Sequence, residues 1–205
     1  ISLGGPRIIT TKIDWLNGLW IREQLDDDAF AERVIEGAVN RENLKPIIPL
    51  VRTRVNKWSD LASVAGFFLD GLIALSPEVL QFKGLDETEV RKIYAWTLWE
   101  LDKEREWTGA NIQRVMRHVA AVMNLKLRVF LAPFFMAIAG KKSATPLFET
   151  MAIVGRDFTR ARIRHAVDVL KPLSGKEQKR GQSEYQKVLA EYEAKQIESS
   201  VESPS

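Results

Sequence analysis

Apolar residues recur along this chain every three or four positions, and nowhere do they alternate long enough to build a strand. A period near 3.6 lines up one face of a helix, whereas a half-buried strand needs a period of two. The chain is thereby confined to packing helices on helices. Residues 11–24 place Ile13, Leu16, Leu19, Trp20 and Leu25 in helical phase, with Thr10 or Thr11 as N-cap. Residues 27–39 follow, with Phe30, Val34, Ile35 and Ala38 on one face. The run Asp26-Asp27-Asp28 opens that helix, where carboxylates suit the positive end of the dipole, so capping is preferred to metal binding. Pro46 and Pro49 limit the next helix to about 46–56. Ser59 caps a segment reaching Phe68, and residues 70–85, with Gly71, Pro77 and Gly84, are a connection with short turns.

A boundary is placed near residue 75. Beyond it the pattern predicts helices over 86–104, 108–123, 127–139, 146–155 and 158–170. In the first of these, Val90, Ile93, Tyr94, Leu98 and Leu101 face inward. Gly140 caps the apolar helix at its C-terminal end and Pro146 opens the next at its tolerated first turn. From Ser174 the composition turns to interspersed Lys and Glu. That tail is either a solvated helix over about 176–196, through Tyr185, Leu189 and Tyr192, or mobile chain.

Composition excludes several chemistries. There is no cysteine, hence no disulfide, thiolate nucleophile or cysteine-ligated metal. His118 and His165 are far apart and read as ordinary helix-face residues. No phosphate loop is present: Gly4-Gly5-Pro6 follows no strand and opens no helix. No apolar run is long enough for a membrane span. The formal charge of +3 is compatible with RNA without requiring it. The chain starts at Ile1 without a Met, which reads as a piece of a longer protein.

One segment stands apart, Lys126 to Glu149. It joins an apolar helix, a short polar loop with Lys141 and Lys142, and the start of another helix at Thr145-Pro146-Leu147. A loop ending at a helix N-terminus offers free backbone N–H groups to base edges or phosphates. A plain helical corner is the commoner use of such a connection.

Taken in order, four segments resemble the bacterial glutamyl-tRNA synthetases. They are Lys12 to Arg22; Leu50-Val51-Arg52-Thr53-Arg54-Val55 with Leu61 and Phe67-Phe68; Lys126 to Glu149; and Gly155-Arg156 with Arg162-Ile163, Ala166 and Leu170. The likeness runs over about 10–171. It implies an all-α, two-part helical cage of the class I anticodon-binding type, with a charged tail. Residues 1–75 would join the catalytic half, 76–173 would form the anticodon-binding subdomain, and 174–205 the tail. The implied partners are the anticodon loop of glutamate tRNA and the chain's own catalytic domain, in a cytoplasmic monomer. The family's adenylation motifs are missing here, so the resemblance places ATP and Mg, with the ligase chemistry, in an absent domain. This chain itself would have no catalytic residue, no metal and no cofactor.

Residue by residue, the resemblance gives Arg54 the reading of the third anticodon base, as in enzymes restricted to glutamate tRNA. Ala144, Thr145, Pro146 and Leu147 match the loop meeting the first two bases, largely through backbone groups. Arg52, Lys126, Lys141 and Lys142 are the accompanying cations. There are departures. The family's Pro-Leu-Arg is Pro133-Phe134-Phe135, its Thr-Gly is Ala139-Gly140, and its Thr-Pro is displaced by one position. Phe134 and Phe135 are read as core, and the six tryptophans as helix-packing anchors rather than base-binding surfaces. A rival reading, a helical protein-interaction module that lost RNA recognition, rests on the missing Arg at 135 and the charged tail.

Overall fold

The computed structural model describes residues 10–37 and 39–201. Gly4-Gly5-Pro6, Ala38 and the last four tail residues lie outside them, as do the side chains of the expected caps Thr10 and Thr11. Among the described residues there is no strand, only an isolated bridge between Phe82 and Leu85. The all-helical expectation is borne out.

The chain divides into two compact units, Ile1–Ile48 and Pro49–Ser205. The sequence places its boundary near 75; residues 49–75 instead belong to the second unit, because Phe67 and Ile73 bury themselves against Ala139 there.

The first unit contains α1 (Thr10–Gln24), α2 (Asp27–Gly37) and the single turn α3 (Arg41–Leu44). The acidic run caps α2 as expected: the Asp26 carboxylate accepts from the Ala29 N–H at 2.8 Å. Asn40 caps α3, a turn the periodicity does not reveal, by accepting from the Asn43 N–H. The apolar stripes are where the spacing put them, yet Trp15, Trp20, Phe30, Val34 and Ile35 all remain exposed.

The second unit opens with α4 (Ile48–Val51, beginning on the last residue of the first unit), a 3-10 turn at Arg52–Arg54 and α5 (Asp60–Ala65). Its main core is built from α6 (Glu87–Lys103), α7 (Gly109–Val122), α8 (Leu127–Ala139), α9 (Leu147–Val154), α10 (Arg156–Leu170) and α11 (Gly175–Val201). Helix α6 begins in a capping box, with Asp86 accepting from the Glu89 N–H and Glu89 from the Asp86 N–H. Its predicted inward stripe is buried throughout. The Thr108 hydroxyl caps α7.

Beyond Arg128 in its first turn helix α8 is wholly apolar and accordingly central, with Phe130, Phe134, Ala137 and Ile138 fully buried. Phe134 meets Tyr94 edge to face at 5.3 Å, so it is core, as read from the sequence. The Tyr94 hydroxyl donates to the Pro133 carbonyl at 2.8 Å, and burial raises that phenol far above its ordinary pKa.

The tail is helical and it is docked. Tyr185 is 1% exposed and packs on Trp96 and Trp99. Gly181 lets α11 close on Trp99, whose ring would lie 3.3 Å from any added Cβ. Lys92 pairs with Glu184 at 2.6 Å, and Ser174 caps the helix in reciprocal bonds with Glu177. Its solvated composition hides a stripe of Tyr185, Val188, Leu189 and Tyr192 that completes the core.

Candidate nucleic-acid interface

Helix α8 ends because Gly140 takes a left-handed conformation, φ 66°, and its N–H bonds back to the Met136 carbonyl. The chain then runs as a loop to Pro146, the N-cap of α9. The loop is pinned from inside. Thr145 is buried, and its hydroxyl lies 2.6 Å from that of Thr150, which in turn donates to the Pro146 carbonyl. Leu147 anchors the far end in the main core. Among the described residues, the N–H groups of Lys141 through Thr145 donate to no other group.

Opposite this loop stands the segment from Arg54 to Phe67. Between the two is a cavity of about 220 Å3. One wall is Arg54, Ser63, Val64 and Phe67; the other is Lys141, Ser143, Ala144 and Thr145. The volume falls below the ~300–1,000 Å3 of pockets for drug-sized ligands, so the space suits a single flat group rather than a whole nucleotide cofactor. A wider hollow, about 480 Å3, runs along Leu16 to Gln24, but one helix alone walls it.

The cations of this region are uncommitted to acids. Arg52, Arg54, Lys57, Lys141 and Lys142 are all exposed, and none forms an ion pair among the described residues. Arg54 spends one N–H on the Leu50 carbonyl, at 2.7 Å, and keeps the rest of its five donors. Lys141 reaches across the cavity and donates to the Ser63 carbonyl, tying the two walls together.

The structure thus brings together Arg54, Lys141, Ala144 and Thr145 from distant parts of the sequence. Pro146 and Lys142 adjoin them in the chain without lining the cavity. Arg52 is exposed one turn back and Leu147 is buried beneath, so its side chain faces core rather than ligand. Lys126 is not assembled with the rest: it is the N-cap of α8, at the opposite end of a 13-residue helix from Gly140, ~20 Å away.

Sequence reasoning passed over Arg162 as a functional residue. This Arg, 1% exposed, donates to the carbonyls of Gly71 at 2.8 Å, Ile138 at 2.6 Å, Phe67 at 2.8 Å and Asp70. It joins the end of α8, which launches the loop, to the turn that carries the opposite wall. Burial lowers its pKa, with the nearby Asp70 charge opposing. The available signal is an Arg flanked on its own helix face by Thr159, Ile163 and Ala166, all buried.

Fold and site together define an all-helical domain with a small, cation-rimmed surface cavity. Consistent with that, a family model described as an anticodon binding domain matches residues 29–167, and the chain belongs to that family. It is 44% identical to a glutamate–tRNA ligase of Marinomonas sp. over 185 residues, covering 90% of this chain and 38% of the relative. It is 37% identical, with the same coverage, to a glutamate–tRNA ligase of Marinobacter nauticus. The chain therefore spans about 38% of the length of these curated relatives. The fold is similar to that in a crystal structure of a glutamate tRNA ligase from Elizabethkingia meningosepticum in complex with its amino acid. The TM-score is 0.58 at 19% identity, covering 83% of this chain and 34% of that one. Among the described residues, no group of acids or histidines is placed to hold a metal, and no helix is long and apolar enough to cross a membrane.

Proposed function

We propose that this chain is the anticodon-reading part of a glutamate–tRNA ligase that works as a cytoplasmic monomer. ATP, Mg and the ligation step then belong to the remainder of the enzyme, to which the first unit connects it. The observation that carries this reading is the facing of Arg54, with free donors, across a nucleobase-scale cavity from a loop whose N–H groups are unspent. Arg54 presents parallel donors to the edge of the third anticodon base. The backbone around Ala144, Thr145 and Pro146 meets the first two bases. The Thr145 hydroxyl is bound to Thr150, so it shapes the loop rather than reading it. Lys142 and Arg52 attract phosphates. Lys141 does so after giving up Ser63, and Lys126 lies too far away to share the same nucleotides.

The test is a binding titration with glutamate tRNA and with the same tRNA altered at the third anticodon base. Arg54→Ala costs ~1–3 kcal/mol of discrimination at that base. Unchanged preference in the variant removes Arg54 from the reading role. Equal weak binding of both tRNAs by the parent chain favours the protein-interaction module instead. The docked tail already weakens one argument for that module, since its apolar stripe is occupied by the chain's own core.

A further inference from the structure

Trp58 does not behave like the other tryptophans of this unit. Trp96 is buried, and Trp99 and Trp107 are packed against the core. Trp58 is 89% exposed. It touches no aromatic ring, and its indole N–H has no acceptor among the described residues. Leaving an indole in water forgoes the burial that stabilises most large apolar side chains, and the site predicted from sequence as a packing anchor is not one.

Its position gives the exposure a use. Trp58 lies in the turn that links two residues of one cavity wall, Arg54 and Ser63. It lies four positions beyond Arg54, at most ~14 Å of extended chain. The backbone there is held firmly. The Asp60 carboxylate accepts from the N–H groups of both Asn56 and Lys57 at 3.1 Å, and the Trp58 carbonyl accepts from the Leu61 N–H. The turn therefore presents the ring from a fixed point of the surface. Three cations without ion pairs, Arg52, Arg54 and Lys57, stand near it in the chain, against one carboxylate, Asp60, which is turned onto the backbone N–H groups of Asn56 and Lys57. An aromatic face among cations is the arrangement with which proteins hold unpaired bases, stacking supplying affinity and the cations holding the backbone. An apolar protein surface would be served by the ring but not by the cations around it.

We infer that Trp58 is a stacking platform for an unpaired base next to the one received by the Arg54 cavity. The inference rests on the anticodon-reading proposal above and adds a residue that none of its expectations includes. Stacking is indifferent to base identity, so Trp58 gives affinity for an open loop while Arg54 gives selection within it.

The experiment uses the 205-residue chain, an RNA hairpin carrying the glutamate anticodon loop, and a fully paired RNA of equal length. Trp58→Ala weakens hairpin binding by about 5- to 150-fold, the range for one base–aromatic stack. Trp58→Phe retains most of the affinity. The paired RNA binds both variants as it binds the parent, and the slope of affinity against salt is unchanged, since no charge is removed. Hairpin addition quenches an emission component that is missing in Trp58→Phe. Because the ring is exposed, both variants keep the parent's melting temperature. Hairpin binding unaffected by Trp58→Ala, while Arg54→Ala still loses base preference, overturns the stacking role and leaves the anticodon reading intact. Equal weakening of hairpin and paired RNA also overturns it. If the parent chain binds the hairpin no better than the paired RNA, the underlying reading fails and the platform with it.

Discussion

The two walls of the cavity are held in different ways. The loop from Gly140 to Leu147 is rooted in the main core: Leu147 is buried there, Thr145 is bonded to Thr150, and α8 and α9 flank it. The wall from Arg54 to Phe67 has only a small apolar cluster of its own, Phe67 and Ile73 against Ala139. Its position relative to the loop depends on that cluster, on which the loop's Ala144 also packs, together with the hydrogen bonds of buried Arg162 and of Lys141. An extended core holds one wall, whereas a small apolar patch and a few directional bonds hold the other. The second kind of support fails all at once when its donor is removed.

The sharpest way to break that contrast is Arg162→Ala. Each buried carbonyl left without a partner costs ~1–3 kcal/mol, so losing the bonds to Phe67 and Ile138 alone costs at least about 2 kcal/mol in urea unfolding. Amide exchange should accelerate at residues 67–71 before it does in α8. Lysine recovers only part, since one ammonium cannot meet four carbonyls in the plane of a guanidinium. A variant as stable as the parent would show that the apolar cluster suffices.

Gly140→Ala comes next, at ~1–2 kcal/mol for a left-handed alanine. Its Cβ would also fall 2.9 Å from the Ile73 side chain. Combining it with Ile73→Ala should therefore cost less than the two separate losses together, and strict additivity would confine the effect to backbone conformation. Thr150→Val removes the hydroxyl chain behind the loop for about 1 kcal/mol, and hydrogen exchange at 144–147 should report it without change at 67–71.

The smallest effect is in α11, remote from both walls. The Ser174 hydroxyl and its N–H, with help from Lys171 and Arg91, hold the Glu177 carboxyl down at about 2 from an ordinary 4.5. A lowered carboxyl contributes stability above its unfolded pKa and loses it as pH falls through the folded value. Between pH 4.5 and 2 the start of α11 should loosen, seen as faster proteolysis near Gly175, with both walls unaffected. Glu177→Gln should flatten that dependence.

Most of this architecture is legible in the sequence because helices announce themselves locally. The stripe on α6, the Thr108 cap and the Gly140 stop each depend on residues within a few positions. Arg54 and the 144–147 loop were legible through resemblance. Ser63, Val64 and Ser143 carry no local mark; only the fold brings them to the cavity. Arg162 has a local mark in its apolar helix neighbours, but its four carbonyl partners come from segments far away in the chain. Trp58 was misread because aromatic size predicts burial on average and says nothing about a particular turn. The same limit applies to α1 and α2, whose spacing correctly locates an apolar face without saying what lies against it.

The docking of α11 bears on where this protein can be cut. The family match ends at residue 167, short of a helix whose Tyr185 closes over Trp96 and Trp99. A chain trimmed to the matched residues would turn that interior into an oily surface patch. Such molecules should clump at concentrations where the longer chain stays clear, a difference that light scattering of the two would read.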